Sequence, residues 1–260
     1  MEKFELPMVA LRGLTVVPNV IIHVDLSREM SKNAVQKSLN EDQRIFLVAQ
    51  RDENEEKSTM ETLFHIGTVA NIKQVTKLPN NIERVMVEGA ARAKLMEVKD
   101  NEGVFFTAVI EEIDEDVNDV DLVCEEALKR SLKEVFATYV RFYPKVGKSL
   151  GKYFEEENTW RFLVNQVLIN TPFSYEKKQQ ILEIENLGGQ CEALVSLIMN
   201  EAQIASIRTQ LAMKVKEKID KKEILVYREN GKIMAYYCFC LEGRKLYSNI
   251  SVNTGNANIL

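Results

Sequence analysis

Histidine, tryptophan and cysteine are scarce in this chain: two, one and four among 260 residues. The two histidines, His23 and His65, lie far apart and neither sits in a ligand-spaced cluster, so no histidine-based metal centre is expected. The four cysteines are scattered and follow no export signal, a pattern of free thiols in a reducing, cytoplasmic setting. No apolar run approaches the ~18–20 residues of a membrane span. The opening Met1-Glu2-Lys3-Phe4-Glu5 carries acids, and no apolar stretch of a signal peptide follows it. No membrane partner is expected. Positive charge is also short. The net charge is −5, and acids outnumber bases by seven over residues 1–118. A phosphate-binding surface needs a cationic field, so nucleic acid is a poor partner for that half. What is present is ordinary for a globular protein: 45% hydrophobic and 28% charged residues.

The first half alternates with a period of two. Leu6–Leu11, Val20–Leu26, Ile45–Gln50, Gly67–Val75, Ile82–Val87, Ala93–Val98 and Val104–Ile113 are short runs rich in Val, Ile and Phe. Pro18-Asn19, Pro79-Asn80-Asn81 and Asn101-Glu102-Gly103 supply turn chemistry between them. Val85-Met86-Val87 and Val104-Phe105-Phe106 are apolar on both faces, which predicts a closed or stacked sheet. One helix interrupts the series at roughly Arg28–Leu39, with Ser27 as its N-cap and Ala34, Val35 and Leu39 facing inward. The acidic run Glu111–Asp116 reads as a solvated linker leading into a helix that Asn118 or Asp119 can cap.

Beyond it the period becomes helical. Val120, Val123, Cys124, Ala127, Leu128, Leu132, Val135 and Tyr139 follow three-four spacing, with Pro144 as the stop. Trp160, Leu163, Val164, Val167 and Leu168 make a second stripe. A third helix starts at Thr171–Ser174 and stops at Asn186-Leu187-Gly188-Gly189. Gln190–Lys221 then reads as one long helix of roughly 48 Å, part of which should project. In the last forty residues, Ile224–Tyr227, Ile233–Phe239 and Leu246–Val252 look like short strands around a turn at Glu229-Asn230-Gly231.

Candidate chemistry is thin. Gly147-Lys148-Ser149 has the end of a phosphate-binding loop, but Phe142 stands where GxxxxGK[ST] needs its first glycine, and a helix precedes it. A basic loop is the plainer reading. Cys238-Phe239-Cys240 offers two of the four ligands zinc requires. No cofactor, metal or catalytic residue is expected, and the chain is read as a non-enzyme.

Three blocks carry a family resemblance: LPMVALRGLTVVPNVIIHVDLSREMS (Leu6–Ser31), RIFLVAQRDENEE (Arg44–Glu56) and LFHIGTVANIKQVTKLPNNIERVMVEGAARAKL (Leu63–Leu95). In order, spacing and wording they resemble the N-terminal domain of the ATP-dependent protease Lon. Ala10 and His23 stand where that family often shows proline, and Ser27 where it often shows glycine. The resemblance continues through the helices and ends at Asp220. It implies an α+β fold: a PUA-like pseudo-barrel over 1–116, a helical domain ending in a long helix over 117–221, and a divergent tail over 222–260. It also implies a role in protein quality control and proteolysis, by binding unfolded or damaged protein segments and supporting oligomerisation. The family's P-loop and Ser/Lys peptidase segments have no counterpart in these residues.

Two surfaces are candidates for that role. Leu14, Val16, Val17, Pro18 and Ile21 form an apolar, proline-containing connection that either packs into the barrel or lines a groove for extended peptides. Leu197, Ile204, Ile207, Leu211 and Val215 either close the helical domain or pair with another copy, or with a full-length Lon-type protease. Two other readings remain. One is an inactive fragment of a Lon serine protease, truncated or shifted out of frame near its end. The other is an RNA-binding PUA-like protein, which the acidic N-terminal half opposes.

Overall fold

Strand β1 (Lys3–Leu11) is apolar on both faces because two cores flank it. Val9 and Leu11 enter one cluster with Val16, Val24, Ile45, Leu47, Ile72 and Val85. Leu6, Met8 and Ala10 enter the other with Phe46, Val48, Leu63, Val69 and Ile110. This is how consecutive apolar residues in a strand are all buried. The molecule is a computed structural model that describes residues 3–114, 122–155, 159–220, 226–229, 232–236, 238–241 and 244–247.

β2 (Ile21–Leu26), β3 (Arg44–Ala49), β4 (Ile66–Leu78), β5 (Ile82–Asn101) and β6 (Phe105–Glu112) complete a mixed sheet of order β2-β5-β4-β3-β1-β6. β1 and β3 run parallel; the other pairings are antiparallel. The sequence suggests two strands at Ile82–Val87 and Ala93–Val98, but β5 is a single strand of 20 residues. Its register against β4 shifts at Val69/Ala70 and Ile72/Gln74, and against β6 at Leu95/Glu97. Such bulges bend a strand, and β5 pairs with β2 and β4 at one end and with β6 further along. That closes β5, β4, β3, β1 and β6 into a ring. β2 is left outside it, paired on one side only. Asn80 and Asn81, both left-handed, turn β4 into β5.

Helix α1 (Glu29–Leu39) covers the first cluster with Ala34, Val35 and Leu39, as the sequence suggests. Its N-cap is Arg28 rather than Ser27, and no side chain caps it.

The helical half departs from the sequence reading at its boundaries. α2 (Leu122–Tyr139) turns Leu132, Phe136 and Tyr139 inward, while Cys124 and Ala127 are exposed. Pro144 does not stop a helix but opens α3 (Pro144–Glu155), because proline fits a first helical turn as well as it ends a preceding one. Gly147-Lys148-Ser149 therefore lies inside a helix, with no strand before it. α4 (Trp160–Asn170) buries the whole expected stripe, and Thr159 caps it by accepting from the Phe162 N–H. Thr171 does not cap the next helix; its hydroxyl closes α4 on the carbonyls of Val167 and Leu168. α5 (Tyr175–Leu182) follows, with Ser174 at its N-cap position. Asn186 does not end α5. Its Oδ1 accepts from the Gly189 N–H at 2.6 Å and so opens α6 (Leu187–Asp220), 34 residues long.

The chain divides into two compact units, Met1–Asn200 and Glu201–Leu260. That break lies inside α6, and the sheet and α2–α5 share the first unit. In the second unit, β7 (Val226–Glu229) pairs with β8 (Lys232–Tyr236), and β9 (Cys238–Leu241) with β10 (Arg244–Tyr247). Asn118, Asp119, Val120 and the Asn230-Gly231 turn lie outside the described residues, as does the side chain of Val123.

Candidate functional site

The connection between β1 and β2 folds inward. Val16, Val17, Pro18 and Val20 are buried, Val17 completely. Its polar backbone is satisfied from several elements. The Thr68 hydroxyl donates to the Val16 carbonyl at 2.7 Å, the Asn19 N–H to the Gly89 carbonyl at 2.9 Å, and the Gly89 N–H to the Val20 carbonyl at 3.0 Å. Val16, Val17 and Pro18 are therefore core residues and are not available to a partner. Burying three adjacent apolar side chains outweighs keeping them in water by several kcal/mol, at about 25 cal/mol per Å². Leu14 is half-buried. Ile21 alone of the five is exposed, at 59%.

Ile21 opens onto a groove of about 880 Å³ between β2, α3 and α4. Ile21 and Ile22 form the β2 side; Tyr153 and Phe162 face them from α3 and α4, their rings edge-on at 5.3 Å. Lys148 and Lys152 stand at the rim on successive turns of α3. Lys152 Nζ lies 4.8 Å from the Tyr153 ring centre. Glu88, the acid in the groove, is held by Lys73 at 2.6 Å. Gln166 braces the junction, its amide donating to the Asn19 carbonyl at 3.1 Å while the Asn170 amide donates back to Gln166.

The groove lies at the start of β2, which is paired on one side only, with β5. β2 alternates exposed Ile21, His23 and Asp25 with more buried Ile22, Val24 and Leu26. An edge of this kind can hydrogen-bond an added strand. Of the connection that the sequence singles out, Val16, Val17 and Pro18 are buried and Ile21 is exposed, and the aromatic pair from α3 and α4 carries no local sequence signal.

Along α6, Cys191, Leu194, Ile198, Ala202 and Ala205 are the buried face. The Cys191 thiol is pushed up to about 12 by burial, with a contribution from Glu192. The heptad set lies off this face. Leu197 is half-buried, and Ile204, Ile207, Leu211 and Val215 are 41–55% exposed. Among the described residues, no group of three or more His, Cys, Asp or Glu could hold a metal, and no helix is long and apolar enough to cross a membrane. Cys238 and Cys240 alternate on β9; their side chains lie outside the described residues.

A model of the ATP-dependent protease La (LON) substrate-binding domain matches residues 5–200. A Lon protease of Lachnoclostridium phytofermentans is 32% identical over 231 residues, covering 88% of this chain and 28% of the relative. One of Clostridioides difficile is 31% identical over 224 residues, covering 84% and 28%. The chain thus spans little more than a quarter of the length of the curated relatives it matches. In structure it is similar to the N-terminal domain of a Mycobacterium avium complex Lon protease, with TM-score 0.62 at 14% identity, covering 75% of this chain and 98% of that one. It is also similar to a Lon N-terminal domain protein from Xanthomonas campestris, with TM-score 0.52 at 9% identity, covering 74% and 98%.

Proposed function

The chain belongs to the family of ATP-dependent protease La (LON) substrate-binding domains, and from that premise we propose that it grips unfolded polypeptide in the groove beside β2. The observation that carries this reading is the unpaired β2 edge meeting an aromatic wall, with Ile21 59% exposed between them. An extended segment would add backbone hydrogen bonds to β2 and place alternate apolar side chains against Tyr153 and Phe162. Lys148 and Lys152 at the rim favour segments with acidic flanks. A natively folded protein has no free strand to offer. The chain would act in the cytoplasm as a non-catalytic module, delivering substrates to a protease assembly.

Ile21→Asp should weaken binding of a reduced, carboxymethylated protein at least tenfold without lowering the melting temperature, because Ile21 points away from both cores. Equal retention of the native and unfolded forms of one test protein would refute the reading.

The exposed stripe Ile204, Ile207, Leu211 and Val215, continuing from Leu197, supports self-association or pairing with a protease subunit through α6. Leu211→Glu is expected to shift the sedimentation coefficient to that of a monomer; an unchanged, larger species would exclude this face.

A further inference from the structure

We propose that a second pocket, where β1 and the end of β2 meet the first turn of α1, binds the C-terminal carboxylate of a polypeptide whose last side chain is apolar. The pocket encloses about 280 Å³, below the ~300–1,000 Å³ of a site for a drug-sized ligand and suited to a terminal residue.

Its charge is unusual. Arg12 Nε and Arg28 Nη2 both donate to Gln50 Oε1, at 3.1 and 3.2 Å, so two guanidinium groups converge on a single neutral oxygen. Arg28 also donates to the Ala10 carbonyl at 2.8 Å, and Arg12 to the Glu55 carbonyl at 2.6 Å. Neither pairs with a carboxylate among the described residues. Burial lowers the pKa of Arg28, and repulsion from Arg12 lowers it further. Nearby acids are committed or turned aside. Asp25 is clamped by Arg84 through two bonds of 2.7 Å, and Glu29 by Lys32 at 2.8 Å and Asn81 at 2.9 Å. Glu53 sits over Gly13, outside the pocket lining.

Ser31, only 8% exposed, also lines the pocket. α1, 11 residues long, begins here without a side-chain cap, so its first N–H groups and dipole favour an anion at the same spot. Guanidinium forks match a carboxylate in two-pronged geometry.

The other wall is apolar, made by Leu11, Leu14, Val24 and Leu26. Free phosphate would leave that wall unused; a terminal carboxylate carrying an aliphatic side chain uses both. β2 links this pocket to the groove. A strand laid parallel to it from Ile21 to Leu26 covers about 20 Å and delivers its C-terminus to Arg28.

This inference rests on the polypeptide-binding reading, and the test separates the two. Fluorescence anisotropy with the full chain would compare a labelled apolar peptide ending in leucine as free acid with the same peptide amidated, and inorganic phosphate would serve as competitor. The acid is expected to bind at least tenfold tighter. Arg12→Gln, at an exposed side chain, and Ser31→Ala should each reduce that difference. Equal affinity for acid and amide would overturn the carboxylate site and leave the groove reading intact. Failure of both peptides to bind would overturn both. Displacement of phosphate-sensitive signal with no acid preference would reassign the pocket to free phosphate.

Discussion

Arg92→Met is expected to lower unfolding stability by about 3 kcal/mol, read as a fall in the urea midpoint at unchanged slope. Arg92 is 2% exposed. From β5 its guanidinium reaches across to the link between α5 and α6, where it donates to the carbonyls of Leu182 (2.9 Å), Glu185 (2.7 Å) and Ile184. Leu182 ends α5, where the last carbonyls lack partners within the helix and carry the negative end of its dipole; Ile184 and Glu185 lie in the link that follows. Burial draws the Arg92 pKa down to about 10, still far above neutrality, so the cation persists. Methionine fills the space but strands the carbonyls at a cost of about 1–3 kcal/mol per unsatisfied group. Ile184 loses least, since Gln190 also donates to it at 2.9 Å. Lysine should recover only part of the loss, because one ammonium cannot serve three carbonyls in a plane. A variant within about 0.5 kcal/mol of the parent, the range of a neutral surface change, would mean that other contacts hold the α5–α6 link.

Gly89→Ala should be nearly as damaging, at about 2–3 kcal/mol, and should also weaken polypeptide binding. A Cβ at Gly89 would stand 2.2 Å from the Val17 carbonyl oxygen and 2.9 Å from its carbon. Both are backbone atoms, and no rotamer change relieves them. The strand and the connection would have to part, breaking the bonds that join Asn19 and Val20 to Gly89 and moving Ile21 with them. Gly103→Ala is the control. Gly103 has φ +75°, but nothing lies within 4 Å of its Cβ position, so only the backbone preference of about 1 kcal/mol is lost. If the two alanine variants melt alike, close approach at Gly89 is not what its glycine serves.

Strands β1, β2, β3 and β6 were legible because alternation and turn residues act over a few positions, and Asn80-Asn81 needs no distant partner to turn the chain. The Trp160–Leu168 stripe was legible for the same reason. Pro144 and Asn186 misled because each can end one helix or begin the next, and the signal is the same until the neighbouring helix is placed. Val16, Val17 and Pro18 misled because apolar residues look alike whether they cover a core or wait for a ligand.

By itself, then, the sequence determined the family, the β-then-α order and the length of the last helix, all set by local period, turn chemistry and wording. The tertiary structure alone decided that β5 closes the ring and leaves β2 with a free edge. It alone brought Ile21 to Tyr153 and Phe162, Arg12 and Arg28 to Gln50, and Arg92 to Leu182, ninety residues away. Such contacts join segments that share no periodicity, and their energy exists only once the cores between them have closed.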